Sequence, residues 1–167
     1  RYFNDQFQAL PKDGYTKMVQ RMLDHKNIEI RLNTSFNRGM EENYFHSFLS
    51  IPIDEYFNFI FGCLPYRSII FDQRLEEGPD LEAPVINFTD NSEYTRKTQW
   101  NLFPNSYDSK KTLKTITYEK PCSIKNNPGE YYYPVNTKLS REIFRNYEKL
   151  AKNKLSITFI GRTGLFK

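Results

Sequence analysis

Arg67-Ser68-Ile69-Ile70-Phe71-Asp72-Gln73, Val85-Ile86-Asn87-Phe88-Thr89, Tyr94-Thr95-Arg96-Lys97-Thr98-Gln99-Trp100 and Thr112-Leu113-Lys114-Thr115-Ile116-Thr117-Tyr118 are four short runs rich in β-branched and aromatic residues. Turn composition such as Thr89-Asp90-Asn91 separates them, and no helical period survives between Tyr66 and Tyr118. Serial short strands joined by turns form antiparallel sheets, because each turn returns the chain beside the strand it has just left.

On the N-terminal side of these runs, Tyr15, Met18, Val19, Met22 and Leu23 fall at helical spacing within residues 12–25, with Asp13 where a cap belongs. Ile28, Ile30 and Leu32 alternate with Glu29 and Arg31, which predicts a half-buried strand whose apolar side joins the core. Residues 33–44 read as a loop and residues 45–50 as a further strand stopped by Pro52. Asp54 is then expected to cap a short helix ended by Gly62 and Pro65. On the C-terminal side, Ser140 is expected to cap a helix that sets Ile143, Phe144, Tyr147, Leu150 and Ala151 on one stripe, and residues 157–160 form a last strand entering Gly161. The expected fold is α+β, one antiparallel sheet of about six strands flanked by helices, with residues 1–167 as a single domain.

Composition narrows the function classes. Fourteen Phe and twelve Tyr exclude a disordered chain and predict a core and cleft built from aromatic rings. The net charge of +4 suits an anionic partner, but the basic residues are spread among nearly as many acids, and no nucleic-acid module or basic run is present. Cys63 and Cys122 lie far apart without a CxxC partner, which argues against a metal site or a disulfide framework. Only His25 and His46 are available as imidazole bases, so Ser-His-Asp or Cys-His hydrolysis is not expected. Neither a G-x-G-x-x-G nor a Walker sequence occurs. No run of apolar residues is long enough to insert into a membrane. The start, Arg1-Tyr2-Phe3, has no initiator Met and no signal-peptide pattern, so the chain is expected to begin inside a longer protein.

The positive signal is a set of Arg, Tyr and Asn residues at strand starts and turns: Arg67 after Tyr66, Asn87 in Val85-Ile86-Asn87-Phe88, Arg96 closing Tyr94-Thr95-Arg96, and the run Tyr131-Tyr132-Tyr133-Pro134-Val135-Asn136. A guanidinium forks onto phosphate oxygens with two hydrogen bonds, and phenol hydroxyls add neutral donors. Together they suit a diphosphate, while aromatic faces stack on a base or a sugar. Taken singly, each of these residues is as well explained by cross-strand packing, a turn or a surface ion pair.

Taken in order, Tyr2-Phe3-Asn4-Asp5, Gln8-Ala9-Leu10-Pro11 with Gly14-Tyr15-Thr16, Pro52-Ile53-Asp54 with Tyr56-Phe57, Tyr66-Arg67-Ser68, Val85-Ile86-Asn87-Phe88-Thr89-Asp90, Tyr94-Thr95-Arg96, Tyr132-Tyr133-Pro134-Val135-Asn136 and Gly161-Arg162 resemble the successive motifs of UDP-galactopyranose mutases over nearly the whole chain. The resemblance implies an antiparallel-sheet domain that receives UDP-galactose within a larger flavoenzyme, cut near Arg1 and after Lys167. It implies an isomerase that interconverts UDP-galactopyranose and UDP-galactofuranose, with the covalent chemistry supplied by reduced flavin (FAD) and the protein positioning the sugar nucleotide.

Carried over by motif, Arg96 is one of two arginines on the diphosphate. Tyr2 and Tyr133 donate hydroxyls to it, Asn87, Arg67 and Tyr132 line the same cleft, and Arg162 meets the flavin. No FAD is expected on this segment alone, which is expected to be inactive and to contain no catalytic residue and no metal. The full-length protein is expected to be a cytoplasmic homodimer. The sequence departs from the family's usual Glu, His and Lys at Gln99, Trp100 and Asn101, and from its usual Gly at Ile51. A non-catalytic nucleotide-sugar or glycan-binding module is the alternative reading.

Overall fold

The computed structural model describes residues 4–7, 9–103 and 112–167. In chain order the elements are helix α1 (Gly14–Leu23), strand β1 (Ser47–Leu49), helix α2 (Ile53–Tyr56), strands β2 (Tyr66–Glu76), β3 (Val85–Asn87), β4 (Arg96–Gln99), β5 (Lys114–Ser123) and β6 (Tyr133–Pro134), helix α3 (Lys138–Lys152), strand β7 (Ile157–Phe159) and helix α4 (Gly161–Gly164). The α+β class holds, and each of the four opening runs contributes a strand. Among the described residues the sheet has five strands in the order β3-β4-β5-β2-β6, all antiparallel, against the about six expected. The two remaining strands leave it altogether. β1 and β7 form a separate parallel pair, because the crossover through the sheet and α3 brings residues 157–159 back alongside residues 47–49 in the same direction.

β2 and β5 are the spine of the sheet, paired over ten residues from Arg67 with Ser123 to Glu76 with Lys114. β4 covers only the stretch of β5 from Ile116 to Glu119. Pro121 thus falls where β5 has no neighbour on its β4 side, an edge position that tolerates a residue without an N–H.

The core lies where the first part of β2 meets the parallel pair, α2 and α3. Leu49, Ile53, Tyr56, Phe57, Leu64, Tyr66, Tyr147, Ile157, Phe159 and Phe166 are buried together, and six of these ten are Phe or Tyr. Several of the rings meet edge-on, as at Tyr56 with Phe159 (5.3 Å between centroids) and Tyr66 with Phe166 (5.3 Å), a geometry that aromatic quadrupoles favour. Gly164 lets α4 close on this core. A Cβ there would come within 3.0 Å of the Leu49 carbonyl oxygen.

Several local expectations are corrected. Residues 28–32 form no strand, and Ile28, Ile30 and Leu32 are exposed, because period-two alternation needs a partner for its backbone groups and no described strand lies beside them. Helix α1 forms with Asp13 at its N-cap as expected, but it buries none of its residues, and the Asp13 carboxylate accepts from Arg21 (2.8 Å) instead of from a helix N–H. Asp54 sits inside α2 rather than at its cap, turned inward to accept the Leu64 N–H at 2.7 Å. At α3 the cap is Thr137, three residues before Ser140. The two form a capping box in which Thr137 Oγ1 accepts the Ser140 N–H (3.1 Å) and Ser140 Oγ accepts the Thr137 N–H (2.8 Å). Among the described residues no helix is long and apolar enough to cross a membrane.

Candidate diphosphate-binding face

Antiparallel partners that sit directly opposite one another project to the same face of a sheet. Asn87 is opposite Arg96, Arg96 opposite Glu119, and Glu119 opposite Phe71, so one row across four strands carries an amide, a guanidinium, a carboxylate and a ring on a single face. Arg96 Nε donates to Asn87 Oδ1 at 3.0 Å and Arg96 Nη1 to Glu119 Oε1 at 3.4 Å. The Arg96 side chain stays 43% exposed while that of Glu119 is 11% exposed. An ion pair this open to water is worth under about 1 kcal/mol, so its consequence is orientation more than stability. Two of the guanidinium's N–H groups are held from behind, and among the described residues no acceptor takes the rest.

Arg67 lies opposite both Ser123 and Tyr133, four residues along β2 from Phe71. An even separation keeps Arg67 and Tyr133 on the Arg96 face. The structure therefore brings Arg67, Asn87, Arg96 and Tyr133 to one side of the sheet. Three strand spacings of about 4.8 Å and four residues of about 3.3 Å separate the Arg96 and Tyr133 backbones by about 20 Å. Tyr132 lies next to this group, its N–H donating to the Arg67 carbonyl (3.0 Å) and its ring 6.0 Å from that of Tyr133. Arg162, exposed on α4, donates through Nη1 to the Tyr132 carbonyl at 3.4 Å, which fixes it at the Tyr133 corner. Tyr2 lies outside the described residues.

The opposite side of the sheet has different chemistry. A cavity of about 480 Å³ opens between the chain leading into β2 and helix α3, lined by Asp54, Cys63, Leu64, Tyr66, Tyr131 and Ile143 among others. None of the expected ligand residues lines it. Asp54 Oδ1 has no hydrogen-bond partner among the described residues, and burial raises the carboxyl above its ordinary pKa. Burial, with Glu55 close by, pushes the Tyr131 hydroxyl up to about 12. The described residues contain no cluster of His, Cys, Asp and Glu able to hold a metal ion.

The model of the UDP-galactopyranose mutase family matches residues 1–167, the whole chain. The chain belongs to that family. Among curated relatives it is 33% identical to the dTDP-fucopyranose mutase of Escherichia coli, over 99% of this chain and 45% of that protein. It is 32% identical to a probable UDP-galactopyranose mutase of Klebsiella pneumoniae, over 99% of the chain and 43% of the relative. The UDP-galactopyranose mutase of Mycoplasma genitalium is also 32% identical, over 99% and 45% respectively. The chain thus spans less than half the length of these mutases.

Against the family pattern, the departures have structural roles here. Gln99 is fully buried, accepting the Leu81 N–H at 2.9 Å and donating to Asp80 at 2.7 Å, so a neutral amide ties the loop after β2 to β4. Trp100 Nε1 donates to Thr117 Oγ1 at 2.7 Å, and Asn101 Oδ1 accepts the Thr115 N–H at 2.8 Å. Ile51 packs, half-buried, against the core. Glu119 was not singled out by the sequence. The available signal was its position two residues after Thr117 in an alternating strand, but the identity of its partner depends on register, which the sequence does not state.

Proposed function

We propose that this chain is the nucleotide-sugar-binding part of a flavin-dependent isomerase that interconverts UDP-galactopyranose and UDP-galactofuranose. The observation that carries the reading is the Arg96 guanidinium, steadied by Asn87 and Glu119 and presented on the sheet face that also bears Arg67 and Tyr133. In this reading Arg96 lies on the diphosphate and offsets the charge that grows on UDP as it leaves, which is the interaction that matters most in the transition state. Tyr133, Tyr132, Asn87 and Arg67 orient the rest of the substrate, and Tyr2 adds a further hydroxyl.

Arg162 suits an anionic group of FAD, since its guanidinium is exposed at the Tyr133 corner with one described hydrogen bond, to a carbonyl. Reduced flavin, when bound, supplies the nucleophile for the sugar's anomeric carbon. No glycine-rich phosphate loop occurs in residues 1–167, so the reading assigns no flavin and no isomerase activity to this chain alone. Residues 1–167 act as one domain of a cytoplasmic, homodimeric enzyme in the same proposal.

A second substrate reading, a dTDP-sugar, is favoured by the E. coli relative's name and by the departures at Gln99, Trp100 and Asn101 beside Arg96. Calorimetric titration of the chain with UDP and with dTDP tests both. Binding of UDP that Arg96→Ala weakens at least about tenfold supports the reading, in line with the loss of a charge-assisted pair. No heat with either nucleotide, or equal binding by Arg96→Ala, refutes it, and a marked preference for dTDP selects the second substrate.

A further inference from the structure

The cavity of about 480 Å³ behind the sheet has no part in the diphosphate reading. Tyr66 and Arg67 are neighbours in β2 and so project to opposite sides: Arg67 joins Tyr133 on the Arg96 face, and Tyr66 lines the cavity. The volume falls within the range of about 300–1,000 Å³ that small-ligand sites occupy. Asp54, Leu64 and Tyr66 are buried and form the floor, whereas Cys63 and Leu139 are exposed and stand at the rim.

The walls are aromatic and aliphatic. The Tyr66 and Tyr131 rings meet edge-on at 5.1 Å, and α3 contributes Leu139 and Ile143. Three hydroxyls of the lining are already engaged: that of Tyr66 donates to the Thr163 carbonyl (3.0 Å), that of Tyr131 to Glu55 (3.2 Å) and that of Ser140 to the Val135 carbonyl (2.9 Å). Asp54 differs from them. It is 2% exposed, its Oδ2 accepts the Leu64 N–H at 2.7 Å, and its Oδ1 has no partner among the described residues. A buried oxygen without a partner is costly, and a hydrogen-bonding group brought into the cavity relieves that cost.

The same surroundings select against charge. An ionised ligand would exchange its hydration for apolar walls, and an anion would also meet the Asp54 carboxyl. Burial already raises that carboxyl above its ordinary pKa, and a ligand hydroxyl can donate to the carboxylate or accept from the acid.

We infer that this cavity is a binding site for a small, neutral, planar aromatic molecule bearing a hydroxyl, with its rings against Tyr66, Tyr131 and Ile143 and its hydroxyl on Asp54. The site lies across the sheet from the nucleotide face, and the inference does not depend on the reading of Arg96.

The probe is 2-naphthol, whose two fused rings carry one hydroxyl. Calorimetric titration of the 167-residue chain should give a single saturable site with a Kd of about 0.1–1 mM, as a ligand of about 11 non-hydrogen atoms and moderate efficiency supports. At about twice its Kd the probe should slow alkylation of Cys63 by N-ethylmaleimide about threefold, because occupancy covers the rim. Naphthalene-2-carboxylate, with the same rings and a charge, should bind at least about tenfold more weakly. The hydrocarbon 2-methylnaphthalene, without the hydroxyl, should lose at least about threefold. Ile143→Trp, which fills the cavity from α3, should abolish both the heat and the protection of Cys63. Circular dichroism checks that variant's fold, and the ligand comparisons stand on the unaltered chain. No binding at about 3 mM, a preference for the carboxylate, equal binding of 2-methylnaphthalene, or displacement of 2-naphthol by UDP overturns the inference. Binding that leaves the Cys63 rate unchanged places the probe elsewhere and overturns it as well.

Discussion

Replacing Tyr147 by Phe removes one oxygen from the most enclosed side chain of the core. Tyr147 has no exposed surface, and its ring stacks on Phe57 (6.1 Å between centroids, 20° between planes) and meets Phe61 edge-on (5.1 Å). The hydroxyl donates to the Gly62 carbonyl at 2.7 Å and accepts the Phe61 N–H at 3.0 Å, so α3 holds the turn that feeds β2. Burial raises the hydroxyl's pKa, so it remains a donor at all moderate pH values. Two hydrogen bonds at about 1 kcal/mol each set the expected loss for Tyr147→Phe at about 2 kcal/mol. Phe61 and Gly62 are exposed residues, so the expected loss is set at the net worth of the two hydrogen bonds rather than at the larger penalty of two orphaned buried groups. Tyr147→Ala adds the loss of a buried ring and should cost about 4–5 kcal/mol. Urea unfolding followed by far-UV circular dichroism measures both variants, and thermal unfolding should show Tyr147→Phe lower by about 4–8 °C. A Tyr147→Phe chain within about 0.5 kcal/mol of the parent would show that the two hydrogen bonds carry no net stability, and the account of how α3 anchors β2 would fail.

Asp54 gives a pH-dependent counterpart. Its folded pKa lies above the ordinary 3.8, mainly because burial disfavours the charge, so the folded chain keeps a proton that the unfolded chain has released. Stability from this group therefore falls as pH rises from 3.8 through the folded pKa, and the deficit persists at neutral pH. Asp54→Asn, with its amide oxygen retaining the Leu64 N–H, should be more stable than the parent at neutral pH, with the advantage shrinking as the pH falls through the folded pKa towards 3.8. Urea unfolding across that range is the measurement, and an advantage that does not change with pH would contradict the burial argument. At Gly164 an added Cβ meets the Leu49 carbonyl oxygen at 3.0 Å and that of Ile51 at 3.4 Å. Gly164→Ala should cost about 1–3 kcal/mol in the same assay through overpacking, and a neutral result would mean that α4 moves freely on the core.

Sequence by itself determined the parts of this protein that depend on local patterning. The four runs after Tyr66 became β2, β3, β4 and β5, and the apolar stripe from Ile143 to Ala151 became α3, because strand and helix periods are written in the order of residues. The motifs also sufficed to identify the family, and they singled out Arg67, Asn87, Arg96 and Tyr133 before their positions were known. Tertiary structure alone decided what those residues share. Arg96 faces Asn87 and Glu119 because of the register between β3, β4 and β5, and a slip of one residue would have sent it to the other side of the sheet. Partner choice was equally beyond local pattern. Residues 28–32 have the alternation of a strand but, among the described residues, no neighbouring strand to bond, whereas the short residues 47–49 are a strand because residues 157–159 run beside them. A strand exists only as half of a pair, and the other half is set by packing more than a hundred residues away.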